Sequence, residues 1–183
     1  MSVEDLERAY TRELSYRWRT DLSPAERIWI VVHDPVLTRR VFAQLTRFET
    51  ATIEAGKLWR VLDLTDTFGQ WVAQHEYAAE LVEDPTTLEG GVLEDYWAAV
   101  VARVATALET TDESTVLALV GLASLYPYLR VNHLLAAVES GIRGRLLVFF
   151  PGSHQADGNN FRLLGVRDGF NYRARPITAT EPR

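Results

Sequence analysis

Four short apolar runs, each ended by turn residues and separated by stretches of helical spacing, constrain this chain more than any other feature. They lie at 28–32, 58–64, 114–122 and 146–150. Each has the length of a strand, and the third is continuous enough to be covered on both faces. Between them, apolar residues recur three or four apart, as on one stripe of an amphipathic helix. Strand and helix in alternation predict an α/β fold: a mostly parallel sheet with helices on both faces.

The boundaries have local causes. Residues 2–20 place Val3, Leu6, Tyr10, Leu14 and Trp18 on one helical stripe, and Ser23-Pro24 ends this N-terminal helix, which is expected over 1–22. After the first strand, Asp34 suits an N-cap and Pro35 a first helical position. The helix that follows carries Val36, Val41, Leu45 and Phe48, and Gly56 stops it. Further helices are predicted around 71–82, 93–108 and 127–139. The segment 153–160 is polar and reads as a loop. Residues 161–166 and 172–177 flank Asp168-Gly169 as a closing β-hairpin, and 178–183 form a frayed tail. The five tryptophans all fall in predicted elements, where core packing explains them best. One domain over 1–183 is expected.

Composition removes several function classes. There is no cysteine, so disulfides, thiolate metal sites and cysteine nucleophiles are excluded. The charged N-terminus has no apolar stretch after it, and no run reaches the length of a membrane span, so a cytoplasmic protein with no membrane partner is expected. The net charge of −6 is unevenly placed. Residues 143–183 carry seven arginines against three carboxylates, a balance of +4, which leaves −10 for the rest. An acidic body with a basic end points to a charged partner surface.

Tests for chemistry fail one after another. A phosphate-binding loop after the first strand needs glycine amides, a lysine and a hydroxyl, but 33–40 has no glycine or lysine and bears Asp34 and Pro35. Gly90-Gly91 lacks the third glycine and the strand-to-helix setting of a dinucleotide fingerprint, and suits a helix cap or hinge. The histidines at 33, 75, 133 and 154 include no pair four apart that could share a metal. The stretch 121–125 has the glycine and serine of a nucleophile elbow, but Leu125 stands at the second glycine position. Ser124 there caps the next helix or bonds the strand end. Asp63 and Asp66 end the second strand, at the edge where active residues of parallel sheets gather, and Asp66 also suits a helix cap. No nucleophile, base and orienting group can be assembled, so no catalytic residue, metal or cofactor is expected.

What remains is a set of binding residues. Arg130 and His133 fall on one face of a predicted helix at i and i+3. Arg130 either pairs with a carboxylate such as Asp63 or presents to a partner. Phe161, Arg162, Arg167, Asn171, Tyr172 and Arg173 mix arginine with aromatic groups, a composition that suits a protein interface. It also suits single-stranded nucleic acid, where aromatics stack and arginine grips phosphate.

The stretch 116–135 resembles the signature segment of the BrxB family of bacteriophage-exclusion (BREX) defence systems. Gly121, Ser124, Leu125, Tyr126, Pro127, Tyr128, Leu129 and Arg130 match it, and Ala123 replaces the usual second glycine. The resemblance resumes in 147–152, with its Phe-Pro-Gly turn, in 161–164 and in 171–174. It departs again in the short loop 153–160 and at Gly169-Phe170. The family implies a degenerate nucleotide-binding fold and a non-enzymatic accessory subunit. It implies action beside a methyltransferase, a large ATPase and the phosphatase-like PglZ protein, with PglZ as the expected binding partner and other BREX components as further ones. A subunit contacting nucleic acid through its C-terminal strands is the alternative.

Overall fold

The sheet faces are written in the alternation of its strands. In the computed structural model, which describes residues 2–76, 78–83, 91–155, 160–165 and 169–179, with side chains at all of these except 82 and 169–171, five strands run parallel. They are β1 (Ile28–His33), β2 (Leu58–Asp63), β3 (Thr115–Val120), β4 (Arg145–Gln155) and β7 (Arg175–Ile177), in the order β2-β3-β4-β1-β7. Side chains alternate across a strand with a period of two. Ile28, Ile30, Val32, Leu117, Leu119, Leu146, Val148 and Phe150 therefore enter one core, while Trp29, Val31, Val116, Ala118, Val120, Leu147 and Phe149 enter the other. Every residue of β1 and β3 is buried, as a strand covered on both faces requires.

Helices close both faces. On one lie α1 (Val3–Ser15), α2 (Thr38–Ala43) and α3 (Leu45–Glu54). Ser2 and Asp5 form a capping box that starts α1, whose Leu6, Tyr10 and Leu14 are buried. The helix ends at Ser15, short of the expected 22, because Tyr16 has extended backbone, and Trp18 packs on the core from the segment that follows. Thr52 Oγ1 donates to Phe48 O at 2.7 Å, so the Tyr10 hydroxyl donates to Thr52 Oγ1 at 2.6 Å and joins α1 to α3. The other face carries α4 (Thr67–Gln74), α5 (Ala78–Glu83), α6 (Gly91–Glu109) and α7 (Val131–Val138). In α6, Tyr96, Val100, Val104 and Leu108 recur every four residues, and all are buried. All five tryptophans pack against one or other of these cores.

Several predicted elements are redrawn. The helix after β1 is broken into a 3-10 turn (Pro35–Leu37), α2 and α3, and Val36 is exposed. Gly56 ends it at φ +70°, a left-handed conformation that suits glycine. The helix expected over 127–139 starts only at Val131. Pro127 follows Tyr126 in a cis peptide, and Arg130 has extended backbone at the N-cap. The segment 153–160 is not all loop, because Ser153, His154 and Gln155 continue β4. They pair antiparallel with β5 (Asn160–Leu163), and β5 pairs in turn with β6 (Gly169–Asn171). A polar sequence is at home there, since an antiparallel sheet can face water on one side.

The closing hairpin is present as the antiparallel pair β5–β6, but its second strand is 169–171 and not 172–177. Residues 175–177 do not pair with β5. They join β1 in parallel, with Trp29 opposite Arg175 and Val31 opposite Ile177, and Ile177 is buried. Burial of Ile177 on the open side of β1 outweighs extending the hairpin beyond β6. Of the expected tail, Ala179 packs against the core, and 180–183 lie outside the described residues. Asp168 and Gly90 also lie outside them.

Candidate functional site

The strand order brings the ends of β1, β2, β3 and β4 together at the carboxyl edge, where parallel sheets hold their ligands. A cavity of about 380 Å³ opens there, lined by His33, Thr38, Thr65, Gly121 and Ser124 with apolar walls from Phe42, Leu122 and Phe149. The turn after β1 is not built for a phosphate. Asp34 Oδ1 accepts the Val36 amide at 2.9 Å, so a carboxylate already holds a donor that a phosphate would need.

Three polar side chains of this cavity, Ser124, Thr38 and His33, are committed to the fold, while Arg39, which also lines it, is exposed. Ser124 Oγ shares its proton between Gly121 O at 2.7 Å and Leu64 O at 2.9 Å, tying the end of β3 to that of β2. Of the two roles expected of it, helix cap or strand-end bond, it takes the second. Thr38 Oγ1 donates to Pro35 O at 2.8 Å, which leaves it to accept from Nε2 of a neutral His33 at 3.3 Å. His33 is fully buried, and desolvation holds its imidazole below the usual histidine range. Asp63 Oδ1 accepts from the Thr65 amide at 2.8 Å. Asp66 stands at the N-cap of α4, but its side chain makes no capping hydrogen bond. Among the described residues, no group of three or more His, Asp or Glu side chains could hold a metal ion.

Beside the cavity, the segment between β3 and α7 is outward-facing. Tyr126 is 41% exposed, and Pro127, Arg130 and His133 are exposed with it. Tyr128 turns inward instead and stacks on Phe68, with centroids 5.0 Å apart and planes 14° apart. His133 meets Trp97 edge-on at 6.5 Å. The turn therefore has a buried root and an exposed rim of tyrosine, proline, arginine and histidine.

The C-terminal residues predicted to share that surface are dispersed. Phe161 is fully buried, T-shaped against Phe150 at 5.9 Å, so it is a core residue and not a contact for a partner. Its alternate position on β5 turns it into the core, which the aromatic-and-arginine composition did not reveal. Arg162 is half-buried, with Nε buried and unpaired. The Tyr172 hydroxyl donates to the Glu139 carboxylate just past α7. Arg173 is exposed at the opposite, amino end of the sheet, just before β7. Arg167 and the side chain of Asn171 lie outside the described residues.

The model of the family described as BREX protein BrxB matches residues 61–177, from within β2 through β7. The chain belongs to the BrxB family. The match covers well over half of the chain and includes the whole turn from Gly121 to His133. No curated protein and no solved structure matches the chain. As a BrxB-family member, the chain is a component of a BREX phage-defence system. No described helix is long and apolar enough to cross a membrane.

Proposed function

We propose that the chain is a non-catalytic adaptor of its BREX system, acting in the cytoplasm and binding the PglZ-like phosphatase-fold component through the turn between β3 and α7. The observation that carries this reading is how the family's signature segment is used. Its hydroxyl, Ser124 Oγ, is spent on backbone carbonyls, while Tyr126, Pro127, Arg130 and His133 face outward. An exposed tyrosine and arginine on a buried root have the composition of interface hot spots. Fixing the turn in advance also lowers the entropy lost on association.

Co-purification with the PglZ-like protein of the same system tests the proposal. The expected result is a stable complex that Tyr126→Ala combined with Arg130→Ala weakens at least tenfold without lowering the melting temperature. No association at micromolar concentrations would sink it. The nucleic-acid alternative has weaker support, because Phe161 is buried and Arg162 and Arg173 do not share one face.

A further inference from the structure

A second cleft, of about 620 Å³, opens at the amino end of the sheet, between the segment after α1, the start of β4 and the approach to β7. Five arginines line it, at 17, 19, 145, 173 and 175, against the two carboxylates Glu13 and Glu26. This concentration of positive charge sits in a chain whose net charge is −6.

Two of the five arginines are already matched. Arg175 is held by both oxygens of Glu13, at 2.5 and 2.9 Å, and Arg19 by both oxygens of Asp21, at 3.0 and 2.8 Å. Arg145 is not. It is only 3% exposed, and among the described residues it forms no ion pair and its Nε has no hydrogen-bond partner. Its other nitrogens donate to Gly144 O at 2.9 Å and Arg19 O at 2.8 Å. Its guanidinium lies 4.2 Å from the Trp18 ring centroid and 5.5 Å from that of Trp29.

A buried cation without a counter-ion is costly, and cation–π contacts offset only part of that cost. Burial, and then the neighbouring Arg27, lower its affinity for a proton to a pKa of about 10, so it stays charged at neutral pH. Arg17 and Arg173 stand exposed in the same cleft, with no ion pair of their own among the described residues. With Glu26 counted beside Glu13 and Asp21, the five arginines exceed the carboxylates by two, and that net positive charge is left for a ligand to neutralise.

We propose that this cleft binds a phosphate group, free or carried by a ligand of nucleotide size, with Arg17 and Arg173 at its rim and Arg145 as the charge beneath. A compact anion fits better than a long polyanion, because the lining carboxylates Glu13 and Glu26, and Asp21 beside Arg19, would repel a continuous phosphate backbone. The volume lies within the usual range of small-molecule sites. Exposed Tyr16, also in the lining, offers a face to a planar group. The inference does not depend on the adaptor reading, since the cleft is at the other end of the sheet.

Titration calorimetry at constant ionic strength tests it, with inorganic pyrophosphate, ADP and a short single-stranded oligonucleotide as probes. Saturable one-to-one binding of pyrophosphate or ADP is expected, weakened at least tenfold by Arg17→Ala combined with Arg173→Ala. Those positions are exposed, so the melting temperature without anion should not change. Tighter binding of ADP than of pyrophosphate, lost in Tyr16→Ala, assigns the esterified form. Equal binding assigns the free anion. Binding by the oligonucleotide alone, no saturable binding, or binding unaffected by the double substitution would overturn the proposal.

Discussion

Gly121 and Thr65 are packed backbone to backbone where β3 and β2 end. A Cβ built on Gly121 would fall inside the contact shell of the Thr65 amide, 2.7 Å from Thr65 Oγ1 and 2.8 Å from Asp63 Oδ1, and the residue holds φ +81°. Steric overlap and a left-handed backbone both act on this one position. Gly56 has a similar φ of +70° with open space around it. Gly121→Ala should therefore cost about 2 kcal/mol or more, and Gly56→Ala about 1 kcal/mol. Urea denaturation of both variants checks the order, and equal losses would refute the packing argument.

His33 makes stability fall in weak acid. In the fold, burial disfavours its protonated form, whereas the unfolded chain takes up the proton near the ordinary value of 6.5. The stabilisation is complete above that pH and is lost as pH falls towards the depressed native value. Melting temperature should decline below about pH 6.5, and His33→Phe should flatten that limb. An unchanged slope in the variant would place the acid sensitivity elsewhere.

At the alkaline end, three hydroxyls behave alike. Burial pushes Tyr10, Tyr96 and Tyr172 up, Tyr96 to about 12, and for Tyr172 the Glu139 carboxylate adds to the effect. Unfolded tyrosine ionises near pH ~10. Stability is thus complete below that pH and falls as pH rises above it. Ultraviolet titration should show an exposed fraction ionising reversibly and a second fraction ionising only as the fold opens.

Phe161 and Arg130 separate folding from association. Phe161→Ala removes a fully buried ring and should destabilise by about 3–5 kcal/mol. Arg130→Ala lies at an exposed position and should change stability by no more than about 0.5 kcal/mol while weakening capture of the PglZ-like protein. Paired denaturation and binding measurements resolve the two effects. A Phe161→Ala protein of full stability would contradict the burial.

Elements with one dominant cause were legible in the sequence. The runs that became β1 and β3 are apolar throughout because both faces are covered, and that pattern identifies them without tertiary knowledge. Ser124 and its tie to the strand end were legible because a serine at such a corner has few other partners. The C-terminal third was harder to read. Whether 175–177 pairs with β5 or with β1 depends on the open side of β1, which is distant in sequence. Phe161 and Arg162 are neighbours of like promise in composition, and only the register of β5 decides which one is buried. The Arg145 cleft left almost no sequence signal, because its arginines come from three separate segments.

The strand β4 carries a mechanical consequence. Its first part is paired on both sides, to β1 and to β3, and its last residues, from Gly152 to Gln155, are paired to β5. A force applied to the antiparallel branch along that axis is thus transmitted into the centre of the sheet without passing through a loop. It loads the flanking ladders in shear, so their hydrogen bonds must yield together and cannot peel apart one at a time. A partner that grips the branch pulls directly on the central strand of the sheet.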